Sequence, residues 1–248
     1  MGAVYIMWLR QLKRYFRSKS RIIGSLGQPL LFMVAFGFGL GPIFQKAGQG
    51  NYIEFLVPGV ISMTLLFTSI FSGIEIIWDR QFGFLKETLV APVSRLSIMI
   101  GRTLGGATLA VMQGIFVLIL SFIVGFQILS TETLLLALIF MMLIAVAFTA
   151  LGTAIASRMQ DFHGFQMIMN FLVMPLFFLS GAMFPLTGLP DAFNFIVRLN
   201  PLSYGVDGLR GALTGSYFYG PALDLTVLIS VAVILTVLGS YLFTKIEV

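Results

Sequence analysis

The side chains able to do chemistry are few: one histidine, ten carboxylates and no cysteine in 248 residues. Without cysteine, disulfides, zinc ribbons, iron–sulfur ligation and thiol nucleophiles are excluded together. His163 alone cannot build a multi-histidine metal site, and the carboxylates are too scattered for an oxygen cage. It stands in Ser157-Arg158-Met159-Gln160-Asp161-Phe162-His163-Gly164 without a placed acid, so it reads as an ordinary loop histidine. Gly-x-Ser-x-Gly, His-Glu-x-x-His and Walker A patterns are all missing from the sequence. What remains is Gln113, Gln166 and Asn170 inside apolar runs, with Glu75 and Arg102 near the ends of others. Amides so placed either bond across helices as packing groups or line a substrate path, and both readings stay open. The chain is expected to be no enzyme and to hold no metal or cofactor of its own.

The segments that must position these groups are lipid-soluble. Hydrophobic residues make up 58% of the chain and charged ones 10%, with a mean hydropathy of +1.00. A soluble domain carries about a quarter charged residues. The expected class is therefore an all-α integral membrane protein with one transmembrane domain over 1–248. Six apolar runs reach the roughly 20 residues a bilayer demands: 22–44, 52–77, 98–126, 133–155, 165–184 and 221–243. The first is too long for a signal peptide and is followed by no clear small-residue cleavage pattern, so it reads as a retained anchor. Net charge is +5. With the N-terminus inside, twelve of the fifteen Lys and Arg residues fall on the inner side and only Lys46, Arg198 and Arg210 outside. The positive-inside rule then gives an N-in, C-in topology and explains the basic pI without nucleic acid.

Three regions outside the spans are organised. Over 4–20, Tyr5, Trp8, Leu9, Leu12, Tyr15 and Phe16 fill one arc of a helical wheel, with Arg10, Lys13, Arg14 and Arg17 opposite, as in a helix lying on the inner leaflet. Over 79–92, Phe82, Leu85 and Leu89 fall at helical spacing and Pro92 supplies a stop. That stripe can pack on the membrane surface or dock on a soluble partner. Between Phe184 and Gly220, Pro and Gly forbid one continuous helix, yet Phe193, Phe195, Ile196, Leu199 and Leu209 are too apolar for a loop in water. Two re-entrant half-helices over 189–213, broken at Asn200-Pro201, reconcile these facts. Asp207 and Arg210, three apart, are expected to pair locally. The spans carry almost no charge, which argues against secondary transport, and the missing nucleotide site suggests energy supplied by another subunit.

Four stretches carry a resemblance: Phe55-Leu56-Val57-Pro58-Gly59, the run from Arg80 to Pro92 (Arg-Gln-Phe-Gly-Phe-Leu-Lys-Glu-Thr-Leu-Val-Ala-Pro), Leu179-Ser180-Gly181-Ala182-Met183-Phe184-Pro185, and the run from Leu199 to Arg210 (Leu-Asn-Pro-Leu-Ser-Tyr-Gly-Val-Asp-Gly-Leu-Arg). In this order and topology the chain resembles the membrane subunits of ABC-2 type ABC transporters, which include drug-resistance and nodulation-factor export permeases. The resemblance implies a type V exporter fold: a homodimer of permeases bound to two copies of a separate ATPase that holds Mg-ATP, in the cytoplasmic membrane, with lipophilic, drug-like or lipid-linked cargo. It also implies ATPase contacts from a coupling helix at Arg80, Phe82, Gly83, Leu85, Glu87, Leu89 and Pro92, and secondary ones from the N-terminal helix through Trp8, Arg10, Leu12, Lys13, Arg14, Phe16 and Arg17. Pro185, Asn200, Pro201, Tyr204, Asp207 and Arg210 would belong to a region capping the exit. Gln166 and Asn170 are expected beside a cargo path at the dimer interface, near spans two and five. The competing expectation is a six-span secondary transporter that needs no ATPase.

Overall fold

In the computed structural model, residues 2–46, 50–188 and 190–246 are described, without the side chains of Ser20, Arg21 and Leu89. Among them the chain is helical and contains no strand. Five helical segments are long and apolar enough to cross a membrane: Ile22–Lys46, Tyr52–Gln81, Arg95–Val124, Leu134–Arg158 and Pro221–Thr244. The chain is thus a multi-pass membrane protein. The run expected at 165–184 forms a shorter helix, Phe162–Phe178. At about 1.5 Å per residue, its 17 residues fall a little short of a hydrocarbon core of roughly 30 Å. The helix stops because residues 179–184 turn, with Gly181 at φ 75.

In chain order the helices are α1 (Gly2–Arg17), α2 (Lys19–Lys46), α3 (Tyr52–Phe71), α4 (Ile74–Gln81), α5 (Phe84–Val90), α6 (Arg95–Ser121), α7 (Leu134–Arg158), α8 (Phe162–Phe178), α9 (Asp191–Leu199), α10 (Pro201–Thr214) and α11 (Pro221–Thr244). The core centres on α3, whose Leu56, Ile61, Leu65, Leu66 and Ile70 are fully enclosed by α6, α7 and α10. α11 packs on α7. One end of the bundle gathers α1, α4, α5 and the turn between α7 and α8. The other end gathers α9, α10 and the turns at 125–130 and 215–220.

α1 seats on α6 through Met7, Gln11 and Tyr15, one residue per turn. Of the arc expected from the wheel, Tyr15 is buried in this seat while Tyr5 and Phe16 are 58% and 55% exposed. The close seat has a steric cause. A Cβ built on Gly101 or Gly105 would stand 2.7 Å from the Cβ of Met7 or Gln11, respectively, so only a glycine groove admits the helix this closely. Trp8 then lies beside the seam, its indole N–H donating to the Thr108 hydroxyl at 3.0 Å.

The 184–220 region does break at Asn200. Its side chain caps α10 by accepting from the Leu202 amide at 3.0 Å, and its own amide donates to the Leu176 carbonyl at 2.7 Å. Pro201 follows at the first helical position, where no amide is needed. The two helices are unequal: α9 buries only Val197, whereas α10 is buried from Leu202 to Leu213. Leu189, where the expected region begins, lies outside the described residues.

Candidate docking site at the basic end

The sequence places two carboxylates four apart, Glu75 and Asp79, on α4 and two arginines four apart, Arg10 and Arg14, on α1. Each spacing puts its pair on one helix face, and the structure sets the two faces together. Arg10 Nη2 lies 2.9 Å from Asp79 Oδ1, and Arg14 Nη1 lies 3.7 Å from Asp79 and 3.8 Å from Glu75. Arg102, from α6, donates to the other Asp79 oxygen. The Asp79 and Arg102 side chains are 5% and 3% exposed, so water screens this pair little. The cations also stack: Arg14 lies 5.4 Å from the Trp78 ring centre and Arg10 5.8 Å from that of Phe84. One carboxylate thus ties α1, α4 and α6 together. Sequence reading missed Asp79, although the matched four-residue spacings on the two helices were a usable signal.

The run over 79–92 is not one helix, as expected, but two. α4 ends at Gln81 and α5 begins at Phe84, because Gly83 adopts φ 82, a left-handed conformation cheap only for glycine. The break separates the expected stripe. Leu85 is fully buried, while Phe82 is 74% and Phe84 53% exposed. The exposed apolar tip is therefore Phe82 with Phe84, and Leu85 is core. Glu87, with Lys86, is exposed, as is Pro92 just beyond α5. The Leu89 side chain lies outside the described residues.

Arg80 does not face outward with this tip. Its Nη1 and Nη2 donate to the carbonyls of Met159 at 2.6 Å and Ser157 at 3.1 Å, fastening α4 to the turn between α7 and α8. Trp78 stacks on Phe162 with ring centres 6.2 Å apart, on the same turn. His163, expected in a loop, lies instead in the first turn of α8, where it meets Phe162 edge-on. Between α1 and the α4–α5 break opens a groove of about 730 Å³, with Lys13, Arg14, Arg17, Phe82 and Phe84 on its walls. Leu12 is half-buried beside it. The arrangement can hold a soluble partner's apolar and acidic groups on a rigid, basic seat.

Gln166 and Asn170 belong to a different surface. α8 buries Phe165, Met169, Val173 and Phe177 and leaves both amides exposed. Next to them an apolar groove of about 780 Å³ runs between α8 and α9, lined by Met167, Phe171, Leu176 and Leu199. Gln113, the third interior amide, is a packing group: it donates to the Tyr15 hydroxyl at 2.9 Å and accepts from Thr68.

At the far end, Asp207 and Arg210 do not pair as expected. Asp207 accepts from the amides of Phe218 and Tyr219, each at 2.7 Å. Arg210 donates to the Gly181 carbonyl at 2.9 Å and to that of Phe55, with its guanidinium 3.9 Å from the Phe55 ring centre. The two side chains leave α10 toward different neighbours, one to the 215–220 turn and one to α3. Burial lowers the Arg210 pKa to about 10, against the opposing pull of Asp207, so it remains a cation at neutral pH. Tyr204 donates to the Arg198 carbonyl at 2.9 Å and stacks on Tyr219. Pro185 lies at the rim of the pocket that Arg210 enters.

Residues 2–214 match the family described as ABC-2 type transporter. The putative transport permease ycf38 of Cyanophora paradoxa is 32% identical over 81% of this chain and 69% of its own length. Nodulation protein J of Rhizobium meliloti (strain 1021) is 28% identical over 86% of this chain and 81% of its own. The inner membrane transport permease YadH of Escherichia coli (strain K12) is 27% identical over 86% of this chain and 83% of its own.

Proposed function

The chain belongs to the ABC-2 type transporter family, and we propose that it is the permease subunit of an ATP-driven exporter whose ATPase is a separate chain docked on the groove between α1 and α5. The carrying observation is the exposed Phe82–Phe84 tip held on a segment that Asp79 locks to both α1 and α6. A tip that moved freely would transmit nothing. Fixed to two helices, it passes a displacement of the ATPase to the bundle as a rigid-body shift between inward-open and outward-open states. Mg-ATP is bound by that partner, which reaches Phe82 and Phe84 with apolar surface and Glu87 with a basic group. Arg80 and Leu85 act behind this surface as positioning residues.

In the working assembly two permeases pair and two ATPases bind, in the cytoplasmic membrane, with the basic end and both termini in the cytoplasm. α8 with its following turn supplies the sixth crossing, and α9–α10 cap the exit as re-entrant helices. The exposed apolar face of α8 and the groove beside it suit a second permease copy and a lipophilic, drug-like or lipid-linked cargo, which leaves from the cytoplasm or inner leaflet.

The first test is capture of the ATPase encoded nearest to this chain. Phe82→Asp is expected to weaken capture at least tenfold, about 1.4 kcal/mol, without lowering the thermal midpoint, since the side chain is 74% exposed. Wild-type protein that captures no ATPase would overturn the reading in favour of an ATPase-independent transporter. For the cargo path, a Gln166→Ala, Asn170→Ala double variant is expected to cut transport several-fold with ATPase capture intact. Normal transport would remove these amides from the path.

A further inference from the structure

A second pocket lies at the end opposite the docking groove, where the end of α2, the start of α3, the 180–187 turn, α10 and the 215–218 segment meet. Its volume is about 370 Å³. Its floor holds Arg210, a side chain nine-tenths buried. Nε and Nη2 are spent on the carbonyls of Phe55 and Gly181, while Nη1 has no hydrogen-bond partner among the described residues. Among the described residues no carboxylate forms an ion pair with the guanidinium. Asp207 shares the wall and brings a negative charge, but its oxygens accept from the Phe218 and Tyr219 amides. Arg210 is the one cation among the pocket's lining residues, and its free donor is Nη1. At the mouth stand three hydroxyls, Thr187, Ser216 and Tyr217, that form no hydrogen bond within the described structure, and beside them the apolar Phe44 and Leu186.

We propose that this pocket binds a phosphate group, with Arg210 Nη1 and the hydroxyls of Thr187, Ser216 and Tyr217 as donors and Phe44 and Leu186 against an attached alkyl chain. A phosphate offers enough oxygens to take all four donors at once, whereas a carboxylate has two. The hydrogen bond from the guanidinium is charge-assisted, roughly twice as strong as a neutral one, and Arg210 is already oriented by two carbonyls and an aromatic face, so little order is lost on binding. The apolar rim favours a phosphate carried on a lipid, though a free phosphate satisfies the same donors. The site goes beyond the exporter reading and needs no ATPase.

The test is native mass spectrometry of the full-length chain in detergent with three probes: dioleoyl phosphatidic acid, dioleoylglycerol with the same tails and no phosphate, and inorganic phosphate. A saturable phosphatidic acid adduct is expected that dioleoylglycerol does not reproduce. Thr187→Glu and Ser216→Glu put a carboxylate at the exposed mouth and should weaken the adduct at least tenfold, as should Arg210→Met. If Arg210→Met fails to fold, the two mouth variants decide alone. Inorganic phosphate that binds and displaces the lipid supports the site with either source. Inorganic phosphate binding alone, abolished by the mouth variants, assigns it to the free anion. Equal retention of dioleoylglycerol, retention unchanged in the mouth variants, or no binding of either phosphate probe overturns the proposal and leaves Arg210 a bridge between α3 and α10.

Discussion

Asp79→Ala is expected to destabilise the protein by about 3–5 kcal/mol, the usual effect of removing one partner from a buried ion pair. The loss comes mainly from what is left behind. Arg102 is 3% exposed, its Nε and Nη1 have no hydrogen-bond partner among the described residues, and Asp79 is the carboxylate it donates to. Without Asp79 a buried guanidinium loses its hydrogen-bonded counter-ion. Arg10→Ala removes a cation from the same carboxylate, yet its side chain is 37% exposed, so the cost should be about 0–1 kcal/mol. The pair Asp79→Leu, Arg102→Met removes both charges and should recover most of the stability lost by Asp79→Ala. Thermal unfolding of the three variants beside wild type in one detergent checks the order. If Arg10→Ala costs as much as Asp79→Ala, burial of Arg102 is not the source of the effect.

The double variant also separates stability from coupling. It restores a quiet core but severs the tie between α4 and α6, so a well-folded protein should still bind the proposed ATPase with transport impaired. That outcome would assign Asp79 to transmission as well as folding.

Apolar length made the bundle legible in the sequence. Five of the six expected runs are long helices in the structure, because a 20-residue apolar stretch has few alternatives in lipid. The break at Asn200-Pro201 was equally plain, since Pro has no amide for a helix interior and Asn is a ready cap. Gly83 was harder. A periodicity count sees Phe82, Leu85 and Leu89 at helical spacing and is blind to one positive φ, which sends Phe82 outward and Leu85 inward. Arg80 resembled a surface contact because carbonyl acceptors leave no trace in sequence: the oxygens of Ser157 and Met159 are available whatever the side chains are. Asp207 and Arg210 were misjudged for the same reason, each finding main-chain partners far away in place of the charge three residues off. The resemblance singles out the 80–92 run as a whole, while tertiary packing decides which of its residues are exposed, Phe82 and Phe84, and which is buried, Leu85.

The seat of α1 gives the other large effect, and here sequence spacing alone misleads. Gly101/Gly105 and Gly37/Gly41 have the same interval, but the first pair is the tightly packed one: a Cβ on Gly101 would stand 2.7 Å from the Val4 carbonyl oxygen, whereas one on Gly37 would make an ordinary 3.5 Å contact with the Ile53 side chain and one on Gly41 meets nothing within 4 Å. The Val4 oxygen is main chain and cannot swing aside, so Gly101→Leu must push α1 off α6. Overpacking of this kind costs about 1–3 kcal/mol, and the displacement also carries Arg10 and Arg14 away from Asp79 and Glu75. Both the apolar seat and the charge tie fail together. Limited proteolysis should then release a fragment ending near Arg17 from Gly101→Leu while wild type and Gly41→Leu stay intact, and ATPase capture should fall with it. A Gly101→Leu protein that resists protease as wild type does would mean that α1 is held by its arginines alone, and Arg10→Ala, Arg14→Ala would become the variant that frees it.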